Sequence, residues 1–90
     1  MPTVRIPTPL RRLTGGAATL EVPGHHVREV VRGLDVAHPG FRERLLDEDG
    51  ELRRHVNVFV GEQDVRHLAG LDTEVGAHDT VSIVPAVAGG

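Results

Sequence analysis

The chain of 90 residues contains no cysteine and no lysine. Without cysteine it can form no disulfide, and it offers no thiolate for catalysis or for metal binding. All ten basic residues are arginine. The absence of lysine has two readings: the codon bias of a GC-rich genome, or a protein with an activated carboxyl terminus that must not acylate its own side chains.

Aromatic residues and long apolar runs are also scarce. Phe41 and Phe59 are the only aromatic residues, so the core has to be built from Val, Leu, Ile and Ala. No apolar run is long enough to span a bilayer, and the N-terminus lacks a signal-peptide pattern; we therefore expect no membrane partner and a cytoplasmic location. The net charge of −3 argues against a nucleic-acid partner. Ninety residues make one small domain with a modest core.

Alternation of apolar and polar side chains predicts the strands. The first is expected over residues 3–10, continuing toward residue 14, with its two prolines marking an edge or a bend. The glycine pair at 15–16 predicts a hairpin turn into a second strand over 17–22. The longest strand is expected over 52–60, and the last begins at residue 80.

Between these strands the period changes to that of a helix. Four apolar residues recur at i, i+3, i+4 and i+7: Val27, Val30, Val31 and Leu34. They predict a helix from residue 26 to about 36, followed by a short helical turn over 41–46. Residues 65–75 are irregular, and three apolar residues are expected to anchor them in the core: Leu68, Leu71 and Val75. This order of elements predicts an α+β fold with one main helix on one face of a sheet.

The other face of the later strands is then open to solvent. Alternation puts Phe59 and Val84 on that outward face, with Val87 just beyond. An exposed aromatic beside exposed valines is typical of a docking surface, so Phe59, Val84 and Pro85 form a candidate docking patch. The alternative is that a loop or a second layer covers them.

The C-terminal segment is the most informative stretch. Pro85 has no N–H to donate, so it ends the ladder of the last strand. Residues 86–90 are small, and the closing glycine pair has no Cβ, so the segment is thin enough to enter a narrow channel backbone first. We therefore expect residues 1–85 to form the domain, 86–90 to form a flexible tail, and the carboxylate of Gly90 to be the reactive group.

Four stretches carry a resemblance to a known family: Val56–Val60 (Val-Asn-Val-Phe-Val), 64–66 (Asp-Val-Arg), 70–73 (Gly-Leu-Asp-Thr) and 85–90 (Pro-Ala-Val-Ala-Gly-Gly). Together with the order of elements, they resemble the ubiquitin-like sulfur carrier proteins of the MoaD/ThiS family along the whole chain. The resemblance implies a β-grasp fold with a mixed sheet. Two surface turns depart from the family pattern, at residues 76–79 and after Val60.

The resemblance also implies a mechanism. An E1-like adenylyltransferase/sulfurtransferase with bound Mg-ATP adenylates the Gly90 carboxylate, and a sulfur donor then displaces AMP and leaves a thiocarboxylate. Val87, Ala88 and Gly89 are the residues that thread into the partner. The chain itself is implied to be a carrier and not an enzyme, with no bound cofactor, because ATP and Mg²⁺ belong to the activating partner.

The resemblance further implies an enzyme that accepts the sulfur, either a PLP-dependent cysteine synthase or a thiosugar synthase. It also implies a metalloprotease that releases the product or processes the tail. Two alternatives stay open: a ubiquitin-like modifier conjugated to target lysines, and a molybdopterin synthase small subunit. No metal site is predicted, because only His25 and His26 among the histidines are neighbours, and adjacent helical residues do not face one another.

Overall fold

The computed structural model describes residues 1–85. The elements, in chain order, are β1 (Thr3–Arg5), a 3-10 helix (Thr8–Thr14), β2 (Thr19–Glu21), α1 (Val27–Ala37), α2 (Phe41–Leu45), β3 (Val56–Val60), β4 (Gln63–Asp64), two 3-10 turns (Val65–His67 and Gly70–Asp72) and β5 (Thr80–Pro85). No helix among the described residues has the length and apolarity needed to cross a membrane.

The strands form one mixed sheet of five strands in the order β2-β1-β5-β3-β4. The first and last strands, β1 and β5, run parallel side by side, whereas the other three pairs are antiparallel. The expected α+β fold is confirmed, with α1 packed on one face. The sheet order places β5, which leads to the C-terminal tail, in the middle of the sheet.

The core lies between α1 and the sheet. All four residues of the expected helix stripe are buried, and they join the inward residues of the strands in a single apolar cluster. The contact between α1 and Val22 explains why residue 33 is glycine, because a Cβ at this position would lie 2.7 Å from Cγ1 of Val22. The glycine lowers helix propensity, but it allows the helix to approach Val22, just after β2, closely.

Carboxylates accept backbone N–H groups at the start of α1 and at the junction between α1 and α2. At the start of α1, Oε1 of Glu29 accepts the backbone N–H of His25 at 2.7 Å, and this hydrogen bond lowers the pKa of the Glu29 carboxyl from its ordinary value of 4.5. Between the helices, Oδ1 of Asp35 accepts the N–H groups of Gly40 and Arg42, each at 3.1 Å. The expected short helix is confirmed, and Phe41 within it is fully buried.

The prediction of a strand over residues 3–10 was wrong beyond Arg5. β1 ends there, and the 3-10 helix Thr8–Thr14 begins with proline in its first turn. Proline cannot donate to a ladder, but its fixed φ suits the first turn of a helix. A turn does form at Gly15 and Gly16, whose φ values are 68° and 96°. The predicted hairpin at this turn was wrong, because the turn joins the 3-10 helix, not a strand, to β2.

The strand predicted over residues 52–60 is shorter, since β3 begins at Val56. The preceding backbone is held by a side chain: the guanidinium of Arg66 donates to Oδ1 of Asn57 at 2.9 Å and to the carbonyl of Arg53 at 2.6 Å. The second bond occupies a backbone carbonyl that a longer strand could use for pairing. The two-residue edge strand β4 was not predicted.

Leu68 is not the core anchor that the pattern predicted. Its side chain is 45% exposed, whereas Leu71 and Val75 are buried as expected. The 3-10 turn Val65–His67 instead turns Val65 inward, where it is 0% exposed. Val65, three positions before Leu68, therefore fills the place in the core that was predicted for Leu68.

Candidate functional site

β5 holds the base of the C-terminal tail. On one side it pairs with β3 as far as Pro85 opposite Val56. On the other side β1 pairs with it only through Ser82, opposite Arg5. The predicted sulfur-carrying Gly90 and the predicted threading residues Val87, Ala88 and Gly89 lie outside the described residues, so their roles stay predictions.

The register of the sheet aligns one side chain from each strand in a row on the face opposite the helices. In order across the sheet the outer row consists of Thr19, Arg5, Ser82, Phe59 and Asp64. Paired residues point to the same side of a sheet and sequence neighbours point to the other. Because Val4, Val58 and Val81 are buried toward the helices, the row faces away from the core.

The structure brings two of the three predicted patch residues to one face. Phe59 is half-buried in the outer row. Val84 is 45% exposed and lies opposite Asn57, so it is a diagonal neighbour of Phe59. Pro85 pairs with the buried Val56, and the register therefore places it on the helix side of the sheet.

A groove opens where β5 loses β1 as its neighbour. It has a volume of about 560 Å³, and Arg5, Pro7, Arg11, Val84 and Pro85 are among its lining residues. The groove exists because the prolines and the 3-10 helix take the chain away from β5 after Arg5. We call it the exit groove, since it lies beside Pro85, the last of the described residues.

A second groove, of about 480 Å³, lies at the β4 edge. Its lining includes Phe59, Glu62, Asp64, His67 and the exposed Leu68. We call it the edge groove. Sequence reasoning missed it, because the spacing of Val65, Leu68 and Leu71 is uniform and gives no sign that the middle residue is the one that faces solvent. The predicted patch thus divides between two grooves, with Val84 beside one and Phe59 beside the other.

The neighbouring histidines are part of the helix start. Nδ1 of His26 lies 3.2 Å from Oε1 of Glu29, the same oxygen that accepts the His25 N–H. No group of three or more potential metal-ligating side chains occurs among residues 1–85. What the described residues offer is therefore a strand end with a partly apolar, partly charged face beside it.

The mixed five-stranded sheet with a helix on one face and the C-terminal strand at its centre defines a ubiquitin-like β-grasp protein. A chain in the crystal structure of the BexX/CysO complex from Amycolatopsis orientalis matches it with a TM-score of 0.94 and 44% identity over the whole of both chains. The fold expected from the sequence is thereby confirmed.

Residues 4–90 match the ThiS family. The sulfur carrier protein CysO of Mycobacterium tuberculosis is 43% identical over 90 residues, which is 98% of this chain and 97% of that protein. Small archaeal modifier protein 3 of Haloferax volcanii is 44% identical over 64 residues, 71% of this chain and 68% of that protein. The chain therefore belongs to the ThiS family, as the resemblance indicated, and it is similar to the CysO sulfur carrier proteins along nearly its whole length.

Proposed function

We propose that this chain carries sulfur as a thiocarboxylate on Gly90 and donates it in biosynthesis. The free carboxylate is a poor electrophile, because its leaving group would be oxide. An E1-like enzyme using Mg-ATP converts it to an acyl adenylate and releases pyrophosphate. Sulfide then attacks the carbonyl carbon, AMP leaves with the bonding electrons, and the thiocarboxylate remains on the chain as a sulfur nucleophile. If a persulfide attacks instead, the product is an acyl disulfide, and a thiol of the partner must reduce its S–S bond to release the thiocarboxylate.

The observation that carries this proposal is the match to the ThiS family through residue 90. The structure supports it, since the strand before the tail is held at the centre of the sheet and ends at Pro85. Five residues extend at most about 17 Å. In this proposal the tail enters a channel of the partner enzyme, with Val87, Ala88 and Gly89 inside it and the domain outside. Gly90 can then reach an active site up to that distance from Pro85.

In this proposal the chain supplies no acid, base or cofactor, and its partners do the chemistry in the cytoplasm. ATP and Mg²⁺ are bound by the activating enzyme, and a PLP-dependent cysteine synthase or a thiosugar synthase accepts the sulfur. A metalloprotease releases the product or processes the tail. The likeness to a CysO that is found in a complex with BexX supports a protein partner for this chain as well.

The test is the intact mass of the chain after incubation with an E1-like activating enzyme, ATP and a sulfide source. We expect a gain equal to the replacement of one oxygen by sulfur, located at Gly90 by fragmentation and absent without ATP. The matched control is the chain with one alanine added after Gly90, which should gain nothing. Sulfur gained by the extended chain, or no gain by the wild type with an enzyme active on another carrier, would refute the mechanism.

A second function is favoured by the likeness to a small archaeal modifier protein. In that case the same activated terminus forms an isopeptide bond with a lysine of another protein. Because this chain has no lysine, every isopeptide bond to a lysine side chain must involve a target. Lysine adducts of the Gly90 terminus in place of a thiocarboxylate product would favour the modifier function.

A further inference from the structure

The exit groove is positively charged, although the protein as a whole has a net charge of −3. Arg5 and Arg11 line the groove, and none of the acidic residues within 1–85 does. The Arg5 side chain is exposed, and it makes no hydrogen bond or ion pair with another described residue. A group that complements this groove therefore carries a negative charge.

Arg11 is already held in position beside the groove. Its Nε donates to the carbonyl of Ile6 at 3.0 Å, which ties the guanidinium to the residue that follows β1. Its two Nη groups have no hydrogen-bond partner among residues 1–85. A guanidinium is a planar fork of N–H donors that matches the two oxygens of a carboxylate, and a fixed side chain loses less rotamer freedom on binding. A carboxylate is thus the anion that suits this site.

The rest of the lining is largely apolar. It includes Pro7, Pro9, Val84 and Pro85, and the prolines have no N–H to offer a ligand. The volume of about 560 Å³ lies within the range of about 300–1,000 Å³ that is typical of ligand sites. A short segment with small apolar side chains and a single carboxylate therefore fits the groove.

The chain's own C-terminal segment has this composition and begins at the groove. Residues 86–90 are Ala-Val-Ala-Gly-Gly, and they follow Pro85 directly. Ser82, which lies opposite Arg5, precedes Pro85 by three residues, or about 10 Å at about 3.3 Å per residue. A return from Pro85 to the level of Arg5 uses about three residues, so two of the five remain for the reversal. The carboxylate of Gly90 can therefore reach the guanidinium of Arg5.

Two further features favour the tail over a carboxylate of another molecule. A group tethered by a short linker is present at an effective concentration of about a millimolar, so even a weak contact is populated. In addition, β1 pairs with β5 only through Ser82, and beyond it this side of β5 has no strand neighbour among residues 1–85. An extended segment can add to such an edge through main-chain hydrogen bonds.

We propose that the exit groove is a carboxylate site whose ligand is the chain's own C-terminus, with Arg5 and Arg11 paired with the Gly90 carboxylate and the tail along the edge of β5. The inference rests on the proposed function only in taking Gly90 as the carboxyl terminus. Its consequence is a resting state in which Gly90 is held against its own domain and must leave the groove before a partner can react with it. A thiocarboxylate, which is also an anion, is held in the same way.

The test removes either charge of the proposed ion pair in the full-length chain. Arg5→Gln removes the exposed guanidinium, and a carboxamide at Gly90 removes the negative charge without changing the domain. Arg11 is left unchanged because its bond to the Ile6 carbonyl supports the fold. The matched control is Arg12→Gln, because Arg12 is an exposed arginine of the same 3-10 helix that does not line the groove.

The measurement is the NMR order parameter of the Gly89 and Gly90 amides at low salt. We expect values above about 0.6 in the wild type and in Arg12→Gln, and values below about 0.6 in Arg5→Gln and in the carboxamide. Added salt should lower the wild-type values, because it screens exposed charges. The amide shift of Val84 should change in both altered chains while that of the buried Val58 stays constant, which separates release of the tail from unfolding.

Four results would overturn the proposal. The order parameters could lie below about 0.6 in the wild type, stay high in the carboxamide, or fall equally in Arg12→Gln. Values that fall on dilution would assign the groove to the tail of a second copy of this chain. The mass assay keeps the two ideas apart: sulfur gained by a chain whose tail is unbound refutes the groove site alone, and charge-dependent ordering of Gly90 without sulfur refutes the sulfur chemistry alone.

Discussion

Substituting the two phenylalanines by alanine should destabilise the domain by very different amounts. Phe41 is 0% exposed and packs in the core, so Phe41→Ala should cost about 3–5 kcal/mol of folding free energy. Phe59 is half-buried on the outer row. Because burying a whole phenylalanine contributes about 1.5–3 kcal/mol, Phe59→Ala should cost only about 1 kcal/mol.

These costs are large enough to separate. A domain of this size has a total stability of about 5–13 kcal/mol, and 1 kcal/mol shifts its melting temperature by about 4–8 °C. Phe59→Ala should therefore remain folded at room temperature, whereas Phe41→Ala loses a large part of its stability. The assay is urea denaturation followed by far-ultraviolet circular dichroism, since the chain has neither tryptophan nor tyrosine for fluorescence.

The second half of the prediction concerns partner binding, and it uses the Phe59 variants because they are expected to stay folded. Phe59→Ala, and more strongly Phe59→Arg, should slow binding of the activating enzyme while the domain stays folded. An equal loss of stability at Phe59 and Phe41 would show that Phe59 is a core residue. Unchanged stability together with unchanged binding would show that the patch is not used, and either result refutes the interpretation of the outer face.

Three further predictions concern the helix and the tail. Gly33→Ala should destabilise the fold by about 1 kcal/mol in urea, because the new Cβ would lie 2.7 Å from Cγ1 of Val22 and overpacking outweighs the gain of about 1 kcal/mol in helix propensity. In a Val22→Ala background the same substitution should stabilise, and additive effects would contradict the contact. The hydrogen bond that lowers the pKa of Glu29 stabilises the fold at pH values above the ordinary pKa of 4.5, and this stabilisation is lost as the pH falls through the lower pKa of the folded state. The urea midpoint should therefore fall more steeply with decreasing pH in the wild type than in Glu29→Gln. Parallel pH curves for the two proteins would argue against this contribution. Gly89→Val should slow adenylation without changing the urea midpoint, whereas unchanged kinetics would mean that the tail enters no narrow channel.

Local periodicity predicted the parts of the fold that depend on one segment alone. The stripe from Val27 to Leu34 was identified because a helix turns through a fixed angle at each residue, whatever lies opposite. The outward direction of Val84 followed in the same way from alternation, and this residue is 45% exposed. The family resemblance supplied the β-grasp fold, which periodicity does not specify.

Pairing between distant strands could not be predicted from local patterns. The outer row depends on the registers of four strand pairs. Its members Arg5 and Asp64 are far apart in the sequence, so no local pattern relates them. The early end of β1 had a local cause in its prolines, but the same prolines are equally compatible with an edge strand. Whether the residues after Arg5 continue as a strand or form the 3-10 helix depends on whether they pair with β5, and this pairing is a property of the whole sheet.

β5 links the stability of the domain to the position of the proposed reactive end. Its inward residues Val81 and Ile83 are in the core, while its outward residues Ser82 and Val84 belong to the outer face. A partner bound to that face is therefore held in a fixed relation to Pro85. From there five residues restrict Gly90 to a radius of about 17 Å. Docking at the outer row thus raises the effective concentration of the terminus in the partner's active site, although no described residue of the row needs to touch the reacting atoms.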